Sequence, residues 1–331
     1  MKAIFKREFK SYFQNIIGWL YLAATIALYG LYFFVYNLNY GSSKISYSLN
    51  AITFLFLITV PILTMRSLAE EQKSKTDQLI LTSPVSVGKI IAAKYLAMAA
   101  IHTIAVLVIG LTPLLLLCFG KVPLGEAYVA VAGFYLYGLT CIAIGLFVSS
   151  LTESQVISAV LTFVFLFLGY MMNGITSTFS ASGNILTKIL NCYDLVSPLD
   201  SFMDGCFSIT GVIYYVTVTV LFLFLASQSV QKRRFTVSAK KLKLGVFSLG
   251  FVAIAVALTV VVNLFAAELP STYMELDATS TKLYSLTDDT KKMLQDMDKD
   301  VTIYVIAAEK SADKTVAETL KRYEDSTSHI K

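Results

Sequence analysis

The sequence predicts an all-α, polytopic membrane protein that ends in a polar tail of α/β pattern, and three observations carry that expectation. Of 331 residues, 56% are hydrophobic and only 15% charged, where a soluble domain carries about a quarter charged. The deficit is uneven, with nine acidic residues in 1–267 and thirteen in 268–331. The apolar residues also gather into long runs, which lifts the mean hydropathy to +0.68. A net charge of +5 does not indicate a nucleic-acid binder, because lysine and arginine fall between those runs instead of covering one face of a soluble domain.

A spanning helix needs about 20 mostly apolar residues to cross roughly 30 Å of hydrocarbon. Seven segments meet that length, at 17–38, 49–65, 90–119, 127–149, 155–175, 211–229 and 244–267. The second is the shortest, and the third is long enough to tilt or bend at Pro113. With the N-terminus on the cytoplasmic side, fourteen lysines and arginines fall inside and three (Lys44, Lys121 and Lys188) outside, as the positive-inside rule requires. The first apolar run exceeds the roughly 7–15 residues of a signal-peptide core, and no small-x-small site follows it. It is therefore expected to stay as an anchor.

Before the first span, Ile4, Phe5, Phe9, Tyr12, Phe13 and Ile16 recur at helical spacing, with Lys2, Lys6, Arg7 and Lys10 on the other side. That pattern predicts an amphipathic helix over 1–16, lying in the membrane interface. Between the fifth and sixth spans, 176–210 is too long for a simple loop and too apolar to be fully solvated. It is expected to form two short helices dipping into the outer leaflet, split by Pro198. Backbone at that depth must pack against protein or a wet cavity. In the tail, Thr287 reads as the cap of a helix reaching 297, 301–307 as a strand, and 312–326 as a second helix. Such a piece is too short to bury a core alone, so the sequence is expected to stop inside a larger domain.

The longest inner loop, 66–89 (RSLAEEQKSKTDQLILTSPVSVGK), predicts a charged helix stopped at Thr82-Ser83-Pro84. A bare connector would need about half that length. Its charges suit docking onto a soluble partner, where complementarity sets register; a solvated surface helix is the alternative. No GxxxxGK[ST] phosphate loop is present, since Gly88-Lys89 lacks the upstream glycine and is followed by Ile90. No Ser/His/Asp or Cys/His set is visible, and no span carries a central acid of the kind an ion-coupled carrier uses. His102 stands as the only ionisable residue counted within a span, either lining a pathway or packed neutral. Asp194, Asp200 and Asp204 could receive a cation or cargo, or simply cap the dipping helices. Cys118 and Cys141 read as small hydrophobes. For Cys192 and Cys206, on one outer segment, pairing and separate thiols both stand open. No residue spacing suggests a metal. Gly133, Gly138 and Gly145 would let helices approach closely.

The loop 66–89, with Ala69-Glu70-Glu71, then Thr76-Asp77-Gln78-Leu79 and Leu81-Thr82-Ser83-Pro84-Val85, resembles the coupling segment of ABC-2-type exporter permeases, most of all those of gliding-motility type. The stretch SPLDSFMDG at 197–205, with the sixth span and QKRR at 231–234, is similar to the end of that permease core. The likeness covers about 1–234. Beyond it, LDATSTKLYSL at 276–286 and VTIYVI at 301–306 resemble the start of the gliding-type auxiliary subunit. The chain thus resembles a permease fused to that start. Two departures stand out: Lys75 where the family pattern often has Gly, and Asp77 where it often has Glu.

The resemblance implies a six-helix ABC-2-type transmembrane domain at 17–230, with coupling loop 66–89 and outer dipping helices 176–210. A basic linker at 231–243, a seventh anchor helix at 244–267 and a truncated extracytoplasmic α/β domain at 268–331 would follow. It implies no catalytic residue, no metal and no cofactor on this chain, with ATP and Mg on a separate ABC ATPase. Glu70, Glu71, Lys73, Thr76, Asp77, Gln78, Leu79 and Pro84 would form the docking surface. A second permease chain would complete the pathway, with His102 a candidate for lining it. The expected setting is a bacterial inner membrane, with the N-terminus cytoplasmic and the C-terminal domain outside. Two other readings stay open, a scaffold that transmits force to envelope machinery and an ion-coupled carrier or membrane enzyme.

Overall fold

The computed structural model describes residues 1–76, 85–179, 191–232, 242–269 and 274–279, with scattered positions from 290 to 327; it leaves out the side chains of 177–179 and 242–249. The protein is predominantly helical. Among the described residues, six helices are long and apolar enough to cross a membrane, and a bent pair makes a seventh such segment.

Helix α1, Lys2–Gln14, precedes the first span, which is α2, Ile16–Phe33, extended by a π-helical turn, Phe34–Asn39. Buried Asn37 secures the turn beyond it. Its amide donates to the carbonyls of Ser42 (2.7 Å) and Lys44 (3.1 Å), while its oxygen accepts from the Ser48 hydroxyl (2.7 Å).

The second span differs from the expected single helix. It is broken into α3, Ser46–Thr53, and α4, Phe56–Thr64, with a 59° bend between the halves. At the break the backbone tightens to i→i−3 hydrogen bonds, Leu55 N to Ile52 O and Leu57 N to Phe54 O, the local change that bends a helix. Pro61, inside α4, withholds a further backbone donor. The charged helix expected from Arg66 to about Leu81 stops early: α5 spans only Ala69–Lys73, because the chain turns left-handed at Lys75, and 77–84 lie outside the described residues.

The third span is α6, Val87–Gly110, continued by α7, Thr112–Leu116. The join lies at Leu111 beside Pro113, close to the expected bend. Helices α8, Leu124–Leu151, and α9, Gln155–Phe179, follow. Of the two expected dipping helices, the second is α10, Ser197–Met203, and the first falls at 180–190, outside the described residues. The sixth span is α11, Ile209–Lys232, and the seventh α12, Leu242–Ala267.

Two short strands were not anticipated. β1, Cys206–Ser208, immediately before α11, pairs antiparallel with β2, Glu275–Asp277, after α12, with Cys206 opposite Asp277. Three-residue strands carry too little pattern to be read from a sequence. In the tail, 301–304 shows one bridge residue, Val301, instead of a regular strand; 305–307 and most of both expected helices lie outside the described residues.

The core lies around α8, which packs most extensively on α11 and also against α4, α6, α9 and α10. Lipid tails are as apolar as leucine, so close fit and interhelical hydrogen bonds hold such a bundle together. Thr140 on α8 donates to the Tyr215 carbonyl on α11 at 3.2 Å, and the Tyr215 hydroxyl donates to the Leu195 carbonyl at 2.9 Å. A Cβ at Gly133, Gly138 or Gly145 would collide with Phe202, His102 or Thr64 respectively.

Candidate functional site

The described charged residues of the loop 66–89 sit where α1, α5, α6 and the end of α8 meet. Helix α5 is too short to hold itself together, and its neighbours supply what it lacks. The Ser149 hydroxyl, on the last turn of α8, accepts from the backbone N–H groups of Leu68 and Ala69, each at 3.1 Å. Buried Gln72 donates to the Ser150 carbonyl at 3.1 Å. These bonds satisfy groups that a helix end leaves open and fix α5 to the bundle as a rigid attachment.

The far end of α5 closes in a Schellman motif, with Lys75 N–H donating to Gln72 O at 3.2 Å and Thr76 N–H to Glu71 O at 3.0 Å. That motif needs a left-handed residue, and Lys75 takes it at φ 56°. A side chain there costs roughly 1–2 kcal/mol that glycine avoids. The departure noted at Lys75 therefore falls, among the described residues of the loop, on the position where the backbone itself favours glycine.

The four described residues of the expected docking surface divide by direction. Lys73 and Thr76 are exposed, and Glu70 is partly exposed and pairs with Arg66 one turn back. Glu71 turns inward, where its carboxylate accepts from Lys94 Nζ at 2.9 Å and Arg7 at 3.2 Å. Asp77, Gln78, Leu79 and Pro84 lie outside the described residues.

Lys94, on α6, is 1% exposed. Besides Glu71 it reaches the Ser67 carbonyl at 3.0 Å and Glu8 at 3.3 Å, and Glu8 in turn pairs with Arg7 at 2.5 Å. A charge this deeply desolvated persists only when it is paired and hydrogen-bonded. The result is an ionic clasp that joins α1, α5 and α6 through two carboxylates and two cations. Beside it, burial and the neighbouring Glu8 push the phenol of Tyr12 well above its usual range.

Lys94 corrects the count that left His102 alone among the ionisable residues of the spans. The signal was in the sequence, since a lysine inside a 30-residue apolar run marks either a functional or a paired position. Its partner Glu8 was not legible, because nothing local says that α1 folds back over α6.

His102 is fully buried on α6. Tyr21 Oη and His102 Nδ1 are 2.9 Å apart, and the ring stacks on Tyr135 at 5.6 Å. Phe56 and Phe134 close round it, Gly138 leaves it room, and Nε2 has no hydrogen-bond partner. Within one chain this is an aromatic packing position that ties together α2, α4, α6 and α8.

At the opposite end, Asp194 caps α10. It accepts from the backbone N–H groups of Val196 (3.0 Å) and Ser197 (3.1 Å) and from the Ser197 hydroxyl (2.5 Å). Cys192 and Cys206 are both thiols, not a disulfide.

Residues 14–230 match a family model described as ABC-2 family transporter protein. A comparison with curated proteins found no match. The matched span begins at the end of α1, holds the broken second span, the clasp residues Glu71 and Lys94, and α10, and ends in the last turn of α11. Helix α12 and β2 lie beyond it. The chain belongs to the ABC-2 transporter family and is a multi-pass membrane protein.

Proposed function

We propose that this member of the ABC-2 family is the permease subunit of an exporter driven by a separate ABC ATPase, set in a bacterial inner membrane with its N-terminus in the cytoplasm. Family membership implies the ATPase partner. The observation that carries the coupling role is the double attachment of α5, by Ser149 and Gln72 to α8 and by Glu71 to Lys94. A segment pressed by the ATPase would then move α6 and α8 with it instead of yielding alone, the rigid-body transmission that alternating access requires.

In this reading Glu70, Lys73 and Thr76, with Asp77, Gln78, Leu79 and Pro84 of the same loop, face the ATPase, while Glu71 passes its movement inward. ATP and Mg sit on the partner, which supplies the free energy of hydrolysis. A second permease chain completes the pathway, and His102 could meet that pathway only through movement of the helices round it. The antiparallel pairing of β1 with β2 favours a subsidiary role: it ties the segment after α12 to the base of α10, a connection through which a force-transmitting scaffold would act on the outer end.

The test is co-purification of the ATPase with the full chain. Glu70→Lys combined with Lys73→Glu should remove the ATPase while leaving membrane insertion intact. A complex formed normally by that variant would overturn the docking assignment.

A further inference from the structure

Helix α1 is joined to the first span through Asn15 alone, and the corner between them is tight. The Trp19 indole donates to the Phe13 carbonyl at 3.0 Å, and a Cβ at Gly18 would stand 2.6 Å from the Tyr12 carbonyl oxygen. The start of α2 therefore presses directly on the last turn of α1. Since α2 is a span, this contact holds α1 where hydrocarbon gives way to headgroups.

Three rows run along α1. Glu8 and Tyr12 face inward, where Glu8 meets Lys94 and Tyr12 is buried. Phe5, Phe9 and Phe13 form the next row, their rings 5.9 and 5.0 Å apart, and Trp19 extends it at 5.3 Å. Lys2, Lys6 and Lys10 form the third. All three lysines are exposed, and none has an ion pair with a described residue. Glu8 is the only acid in residues 1–69, and Lys94 and Arg7 already engage it. No free carboxylate on α1 remains to neutralise the lysine row.

The two outer rows together select the partner. A nucleic acid would use the lysines but leave the aromatic row, with exposed Ile16, Trp19 and Leu20 beyond it, facing water. An anionic phospholipid uses both, its phosphate beside the lysines and its acyl chains along the aromatic row and the base of α2.

We infer that α1 is a sensor of anionic lipid. Its lysine row binds the headgroups of anionic phospholipids, and its inward row relays that hold to the coupling segment. Headgroups that keep α1 flat keep Glu8 on Lys94 and Arg7 on Glu71, so the clasp round α5 tightens. On a zwitterionic surface this attraction is absent and the clasp loosens. Each lysine near an anionic surface favours such binding by about fivefold. The lipid preference and its relay to α5 stand apart from the exporter reading, and only their meaning for ATPase docking rests on it.

Trp19 is the only tryptophan in the chain, so its fluorescence reports which lipid lies against the end of α1. The full chain can be placed in phosphatidylcholine nanodiscs holding a rising share of brominated phosphatidylglycerol or, for contrast, of brominated phosphatidylcholine. Half-maximal quenching is expected at an about fivefold lower share of the brominated phosphatidylglycerol. That preference should vanish at about 1 M salt, where the screening length falls to about 3 Å. Combined Lys2→Gln, Lys6→Gln and Lys10→Gln should remove it, whereas arginine at the same three positions should keep it, which separates loss of charge from loss of fold. In the unaltered chain, phosphatidylglycerol should slow hydrogen exchange in 69–76 by about two- to fivefold, an effect absent from the glutamine variant. Equal quenching by the two lipids, a preference that survives the glutamine variant or fails in the arginine one, or exchange in 69–76 indifferent to phosphatidylglycerol would each overturn the proposal. Neither measurement involves an ATPase, so failure here is distinct from failure of the docking assignment.

Discussion

Helices α8 and α12 are both long, apolar and uninterrupted, yet 72% of the most apolar window of α8 is buried against 6% for α12. Hydropathy does not separate them; shape does. Helix α8 presents Gly133, Gly138 and Gly145, into which Phe202, His102 and Thr64 fit, and a β-carbon at any of the three would force its neighbour away. Helix α12 turns Phe251, Ile254, Leu258, Val261 and Phe265 outward, and nothing stands within 4 Å of the position a β-carbon would take at Gly250. One side of it packs along α11, where Thr217 donates to Asn263 Oδ1 at 3.1 Å. In a membrane both helices can be equally stable as single spans, and small residues decide which becomes the axis of a bundle.

The sharpest way to probe the rigid core is to break the clasp at its edge. Lys94→Met takes from partly buried Glu71 its nearest cation, and from Glu8 a second one beside Arg7, and should cost about 3 kcal/mol. Thermal unfolding in detergent reads this as the largest drop of the set, and a change near zero would mean that the cluster is hydrated. A direct contrast of the two helices comes next. Gly138→Ala should cost about 1–3 kcal/mol by driving a methyl into the His102 ring, whereas Leu258→Ala on α12 should stay within about 0.5 kcal/mol. A large loss at Leu258 would show instead that a partner chain covers that face. The smallest effect runs the other way. Lys75→Gly relieves a left-handed side chain and should stabilise the α5 terminus by about 1 kcal/mol, measured as slower proteolysis or hydrogen exchange in the 69–76 segment.

Much of this architecture was legible in advance, for a reason peculiar to membranes. The thickness of hydrocarbon imposes a length on every span, so the seven expected segments fall within a few residues of the observed helices. The interruption of the third span beside Pro113 and the role of the three glycines on α8 were legible for similar local reasons. The candidate site was legible only in part. Glu70, Lys73 and Thr76 face outward as a charged loop suggests, but Glu71 is drawn inward by Lys94, a contact between residues 23 positions apart. The break at 54–55 depends on a change of backbone hydrogen bonding that no hydropathy value registers. The pairing of β1 with β2 joins segments on either side of two spans.

The sequence alone determined which stretches enter the membrane and where the ionic loop lies, because burial in lipid and the placement of lysine and arginine act on each segment independently of the others. Only the tertiary structure decided which helix forms the axis and which carboxylate answers the buried lysine. Those outcomes depend on distances between segments remote in the chain, and such distances are set by mutual fit rather than by the character of any one segment.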